Sequence, residues 1–293
     1  MSTKFLEHMK SVRREETAYQ YYYAVGRFYR WLEETDVRDI TKVSPNVLSD
    51  YCSMLLADGC SPSTVNVKVA GVRRYVRWLK LQGIDVPELH APEKLRVVRR
   101  VREVLSDEDL EAYLEAAEDR LGEPTRTAAM LLPYTGLRSG EVVTLSYHCL
   151  KRVPVKFKDG RREVYCLKVE GKGGHQRVVP LLEGIEVLHE YLGWRKKLPD
   201  KRWLFPGRQK GHIAGHTLRV AVSSLRDDGQ EFTPHTFRRT YLTNLYKKGV
   251  DPIVLAKLAG HADVSTLMRH YLAIGEDEIV AAVGRAQGET DDA

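Results

Sequence analysis

The chain has 293 residues, 29% of them charged, and a formal net charge of +6. That length accommodates two domains and a substantial core, and the positive balance favours a polyanionic partner, nucleic acid before membrane. The N-terminal stretch MSTKFLEHMKSVRREE lacks the apolar run of a secretory signal, and no apolar stretch approaches the ~20 residues of a membrane span, so an intracellular, cytoplasmic protein is expected. Four cysteines (Cys52, Cys60, Cys149, Cys166) lie far apart without a CxxC pair and read as reduced thiols.

In chain order, Glu16 to Glu34 predicts one helix without proline, and Tyr22, Val25, Tyr29 and Leu32 recur at spacings of three and four as a buried stripe. The tyrosines between Tyr19 and Tyr29 read as core aromatics rather than a base-stacking platform. Ser44 is the expected N-cap of a helix that starts at Pro45, runs to Ala57 and ends at Asp58-Gly59. From Ser61 to Gly83, Val65, Val69, Val72, Val76 and Leu79 fall on one face. The same span carries Lys68, Arg73, Arg74, Arg77 and Lys80 and no acid. Solvated faces usually mix signs, so this one suits a phosphate backbone or a major groove. Pro87 and Pro92 then mark a non-helical linker, and Lys94, Arg96, Arg99, Arg100 and Arg102 make a cationic domain boundary that can lie along a duplex.

In the second half, Ser106 followed by Asp107, Glu108 and Asp109 is a helix start with acids at the positive end of the dipole. Thr127 to Tyr134 predicts a buried helix that Gly136 breaks, and Ser139 with Glu141 begins another, so Arg138 sits in the turn between them. Val153 to Phe157, Glu163 to Val169 and Gln176 to Pro180 alternate and are rich in β-branched residues. Asp159-Gly160 and Gly171-Lys172-Gly173-Gly174 are the turns of that small antiparallel sheet. His148-Cys149 lacks the spacing of a metal site. Helices follow over Glu183 to Lys197 and Gly215 to Asp227, with a loop at Leu204 to Gly207 between them.

His235 and Arg238 stand three residues apart at a helix start after Thr233-Pro234. One turn can therefore aim an imidazole and a guanidinium at one phosphate. A short helix opened by Asp251-Pro252 ends at Gly260-His261, and Tyr271 closes the stretch. Alone, HxxR also describes a capped amphipathic helix with solvated charges. Its company is what gives it meaning.

In order, Arg138, Lys172, His235, Arg238, His261 and Tyr271 resemble the tyrosine recombinase (phage integrase) family over nearly the whole chain. The resemblance implies a mainly α fold with a small antiparallel sheet (α+β). Residues 1–97 would form a helical core-binding, SAM-like DNA-binding domain, 98–103 a basic linker and 104–293 the catalytic domain. It assigns Arg138 and Arg238 to the scissile phosphate and Glu141 to orienting the arginines. His235 becomes a general acid/base, His261 a phosphate hydrogen-bond donor and Lys172 the proton donor to the leaving 5′ oxygen. Tyr271 is the nucleophile, leaving a 3′-phosphotyrosine. Because bond energy is kept in that link, neither ATP, a metal ion nor another cofactor is called for. A second 5′ hydroxyl reverses the step, which gives strand exchange through a Holliday junction.

The implied partner is double-stranded DNA carrying a recombination site with inverted half-sites, held by a homotetramer on two duplexes. DNA contacts are expected from Lys68, Arg73, Arg74, Arg77, Lys80, Arg96, Arg99 and Arg100. The short two-domain layout is Xer-like, as in an integrase or a dimer or cointegrate resolvase, and is compatible with an accessory directionality protein. Two features depart from the familiar pattern. Arg239 stands where a histidine is usual, and Tyr271 follows His261 by ten residues, one more than usual, with His270 in the usual place. The nearest rival nucleophile, Tyr246, is expected in the middle of the HxxR helix. Glu276 to Ala286 predicts a short C-terminal helix that docks on its own domain or on a neighbouring protomer. The alternatives are a type IB topoisomerase-like relaxase and a catalytically silent DNA-binding accessory protein.

Overall fold

A computed structural model describes residues 3–13, 15–37, 39–90, 92–97, 104–171, 174–208, 211–226, 232–260 and 264–265. The chain divides into two compact units, Met1–Arg100 and Val101–Ala293. Described residues form eleven α-helices and one three-stranded sheet, a mainly α fold with a small antiparallel element. Among them no helix is long and apolar enough to cross a membrane.

The first unit contains α1 (Thr3–Val12), α2 (Glu15–Glu34), a 3-10 turn (Ile40–Lys42), α3 (Val47–Ala57) and α4 (Pro62–Leu81). Thr3–Val12 of the N-terminal polar stretch is thus a helix, docked through Phe5 and Met9, both fully buried. On α2 the buried stripe is Ala18, Val25, Phe28 and Leu32, not the set containing Tyr22. Tyr21 and Tyr29 pack partly buried against the core, and Tyr29 shares a hydroxyl contact of 3.1 Å with Tyr75. Tyr19, Tyr22 and Tyr23 instead group on the surface, with Tyr23 66% exposed. The α3 helix begins two residues later than expected, because Ser44 accepts from the Asn46 N–H in a turn that precedes it.

Ser61 caps α4 by accepting from the Thr64 N–H, and Pro62 opens the helix, where a missing N–H costs nothing. All five residues of its valine–leucine stripe are buried. At Gly71 the helix meets α2 so closely that a Cβ would stand 3.0 Å from the Ala24 Cβ. The segment after α4 is non-helical, as expected, yet strapped to this unit. Val86 is buried in its core, and the Asn66 side chain pairs with both backbone groups of Leu95, at 2.9 and 3.0 Å. Residues 98–103, the expected basic linker, lie outside the described residues.

The second unit starts with α5 (Asp107–Arg120), opened by a capping box between Ser106 and Asp109. Next come α6 (Thr125–Thr135) and α7 (Ser139–Val143), then β1 (Leu150–Phe157), β2 (Gly160–Glu170) and β3 (Gln176–Pro180), in the antiparallel order β1-β2-β3. The strands run a few residues beyond the alternating segments because the ladder continues from Leu150↔Leu167 to Phe157↔Gly160. Helix α8 (Ile185–Arg195) is shorter than expected, since Gly184 lies in the left-handed region beneath the Tyr134 ring. Helices α9 (Gly215–Ser224), α10 (Pro234–Lys247) and α11 (Pro252–Ala259) complete the unit. Buried Leu131, Leu132, Leu167, Val179, Phe205, Leu218 and Phe237 bring α6, the sheet, α9 and α10 into one core. Asp227 and the C-terminal segment of residues 276–286 lie outside the described residues.

Candidate active site

The ends of four helices build the site. Gly136 ends α6 in the left-handed region (φ 58), where a side chain would also strike the Tyr241 ring. The chain then turns through Leu137, fully buried, and Arg138 precedes α7. Thr233 caps α10 by accepting from the Thr236 N–H, which starts the HxxR helix at Pro234. Asp251 caps α11 through the Ile253 and Val254 N–H groups, and Gly260 (φ 64) ends it.

Where these helix ends meet, Glu141 is the centre. Its carboxylate accepts from Arg138 twice, Oε1 from Nη1 and Oε2 from the backbone N–H, each at 2.9 Å. It also accepts a fork from Arg177 on β3, Nη1 to Oε1 and Nη2 to Oε2, both at 2.9 Å. Arg238 stands 4.0 Å from Oε2 and donates to the Gly136 carbonyl at 2.8 Å and to the Ala259 carbonyl. Burial alone would raise the Glu141 carboxyl, but the Arg177 fork, the Arg138 N–H and the two positive charges outweigh it and hold it below its ordinary value.

The last carbonyls of α11 complete the frame. Leu258 O accepts from Arg177 Nε at 2.8 Å, and Ala259 O accepts from Arg138 Nη1 at 3.2 Å as well as from Arg238. Orphan carbonyls at the negative end of a helix are natural seats for guanidinium groups. Three arginines thus surround one carboxylate, leaving a net positive centre suited to an anionic oxygen. Arg138 is the accessible member, its side chain 42% exposed against 2% for Arg238.

The structure therefore brings Arg138, Glu141 and Arg238 together. His235 lies exposed in the first turn of α10, one turn before buried Arg238, and Arg239 is buried. Tyr246 lies in the last turn of α10, not its middle, partly buried against the cluster of Leu242, Leu255 and Ala259. Lys172, His261 and Tyr271 lie outside the described residues. Their neighbours do not: Gly171 donates to His175 O at 2.7 Å at the root of the hairpin turn, and Gly260 ends α11. Arg177 is the functional candidate that the motifs did not contain. A signal existed, because it alternates with Val179 on the core-facing side of β3, where a charge demands a partner.

Of the residues expected at DNA, Arg73, Arg77 and Lys80 share an exposed face of α4. Arg74 and Lys68 are half-buried at its margins, Arg96 is exposed, and Arg99 and Arg100 lie outside the described residues.

Comparison with known proteins agrees with this architecture. Residues 3–83 match the N-terminal SAM-like domain of phage integrases and residues 103–277 match the phage integrase family. Tyrosine recombinase XerD of Caulobacter vibrioides is 29% identical over 254 residues, 81% of this chain and 80% of that protein. Tyrosine recombinase XerC of Erythrobacter litoralis is 32% identical over 236 residues, 76% of this chain and 72% of that protein. The fold is shared with the XerH site-specific recombinase bound to a palindromic difH substrate (TM-score 0.66, 19% identity, 92% of this chain and 80% of that one). It is shared too with a lambda integrase dimer bound to a COC′ core site (TM-score 0.67, 15% identity, 99% and 79%). The arginine-centred site lies within the matched catalytic region, and the chain belongs to the phage integrase family, as a site-specific tyrosine recombinase.

Proposed function

We propose that the protein cuts and rejoins double-stranded DNA at a site with inverted half-sites, as a tetramer on two duplexes, with Tyr271 as nucleophile. The observation that carries this reading is the convergence of Arg138 and Arg238 on Glu141 and on the carbonyl of Ala259, one residue before Gly260-His261. Two guanidinium groups at one phosphate stabilise the extra negative charge of a pentacoordinate transition state. Their field also favours the phenolate, which at an ordinary pKa of about 10 is scarce near neutral pH. The phenolate oxygen of Tyr271 attacks phosphorus, the bond to the 5′ oxygen breaks, and that oxygen takes a proton from Lys172. His235 serves as general acid/base and His261 donates a hydrogen bond to a phosphate oxygen. The 5′ hydroxyl of a second duplex then attacks the phosphotyrosine and releases the phenol, so no net bond energy is lost.

The relatives' names and the solved DNA complexes support DNA as the partner. The acid-free α4 and residues 94–102 supply cations for the backbone. Covalent capture tests the reading. With nicked duplexes spanning the site, the parent yields a denaturant-stable protein–DNA adduct and Tyr271→Phe yields none. An adduct that persists in Tyr271→Phe moves the nucleophile elsewhere, Tyr246 first. Plasmid relaxation without synapsis would replace strand exchange with topoisomerase chemistry.

A further inference from the structure

Arg177 lies outside the catalytic set carried by the motifs, yet it is as deeply engaged in the site as Arg138, each making three hydrogen bonds there. Its three kinds of donor are all used: Nη1 and Nη2 on the two oxygens of Glu141, and Nε on Leu258 O. The fork leaves each Glu141 oxygen one acceptor position, and Arg138 takes both, Oε1 with its guanidinium and Oε2 with its backbone N–H. Arg138 is thus fixed at both ends by a carboxylate that Arg177 fixes in turn.

Two glycines add an independent observation. A Cβ at Gly260 would stand 2.9 Å from Arg177 Nη1, and one at Gly171 would stand 3.4 Å from the same atom. Gly260 directly precedes His261, and Gly171 directly precedes Lys172. Chain entering both of those positions therefore lies against one guanidinium. A lysine would restore the charge but not the planar fork, and so only part of this arrangement.

We propose that Arg177 is a positioning residue of the strand-exchange centre, holding Glu141 so that Arg138 faces the phosphate and seating the chain that leads into Lys172 and His261. The proposal rests on the recombinase reading above, and Arg177 itself does not touch the phosphate. The competing view is a buried ion pair that only fastens β3 to α7 and α11.

Two measurements decide between them. The first needs no DNA: the carboxyl carbon of Glu141 is followed by NMR through a pH titration, with Glu141→Gln as its assignment. Among the described residues, the charges at that carboxyl are Arg138 from the turn before α7, Arg177 from β3 and Arg238 from α10, while α11 offers the carbonyls of Leu258 and Ala259 to the same arginines. In Arg177→Met the titration moves upward, because burial still raises the carboxyl while the Arg177 fork and charge that lower it are gone. An unmoved titration overturns the grip on Glu141, whatever the protein does to DNA.

The second is the rate of adduct formation on a nicked duplex at saturating protein, across pH 5 to 9. Arg177→Met forms the adduct about 100-fold more slowly, the loss typical of a misplaced catalytic group. DNA affinity changes less than about threefold, which is under 1 kcal/mol. The variant gains a fall in rate at the acid end that the parent lacks, and Arg177→Lys recovers part of the rate. A variant whose rate and affinity fall together, with no new acid limb and no recovery in Arg177→Lys, is merely less well folded, and the proposal fails. A parent that forms no adduct defeats the recombinase reading instead, and the titration alone then judges the grip.

Discussion

The two units handle positive charge in opposite ways. On α4, Arg73, Arg77 and Lys80 point outward, and among the described residues none of them meets a carboxylate. In the second unit Arg138, Arg177 and Arg238 are gathered on Glu141 and on the last carbonyls of α11. The first set is a diffuse field, screened by salt and tolerant of where a phosphate sits. The second is fixed in place before any substrate arrives, so little reorganisation accompanies charge development. On the proposed reading, affinity and chemistry fall to differently prepared cations, and substitutions in each set should fail differently.

The largest effect falls on the carboxylate. Glu141→Ala leaves Arg177 in a buried site without its counter-charge, so stability drops by about 3–5 kcal/mol. Adduct formation slows by at least about 100-fold. Denaturant melts and single-turnover cleavage measure the two. Glu141→Gln separates charge from shape. Because the folded carboxyl is held below its ordinary value, its contribution to stability is present above the unfolded pKa and is lost as pH falls through the folded one. The parent should therefore lose stability in acid, below about pH 4.5, by an increment that Glu141→Gln lacks. Equal acid sensitivity in the two would place Glu141 among solvated charges like those of α4, and the contrast between the units would collapse.

A smaller effect is expected at Gly260. Alanine there meets a left-handed backbone (φ 64) and a Cβ position 2.9 Å from Arg177 Nη1. Strain of about 1–3 kcal/mol accompanies a side chain in that backbone region. Since Arg177 must move, cleavage by Gly260→Ala should slow about tenfold or more, at unchanged salt dependence of binding. A variant that cleaves at the parent rate would mean that the arginine frame is not set by the end of α11.

Much of this frame is legible from local chemistry. Ser61, Ser106, Thr233 and Asp251 announce their helices because a side-chain oxygen must meet the first free N–H groups, and each does so here. Gly136 and Gly260 mark helix ends that only a residue without Cβ enters easily. Arg177 is harder, since its meaning depends on β3 lying against α7 and α11, a pairing that no short spacing encodes. Its one local trace is a charge on the face shared with Val179. The strap after α4 fails for a related reason. Pro87 and Pro92 exclude helix, but nothing nearby says that Asn66 receives Leu95. Helix α1 is missed because four apolar residues, Phe5, Leu6, Met9 and Val12, make too thin a stripe to separate from a polar tail. On α2 aromatic bulk draws attention to Tyr22, whereas Phe28, one of the same class, takes the core position.

The smallest effect belongs to single charges on α4. Neutralising one exposed cation, as in Arg77→Gln, removes at most one phosphate contact and, among the described residues, disturbs no carboxylate partner. The log–log slope of DNA affinity against salt should become shallower by about 0.9, equally for specific and unrelated duplexes. At saturating protein the rate of adduct formation should not change, because the frame around Glu141 is untouched. A fall in that rate at saturation would show Arg77 acting on the geometry of the reacting phosphate, which a screened surface charge cannot do. A loss confined to one DNA sequence would instead make Arg77 a reader of base edges in the major groove, where one good contact discriminates by about 1–3 kcal/mol. The α4 face would then be as sharply positioned as the site it serves.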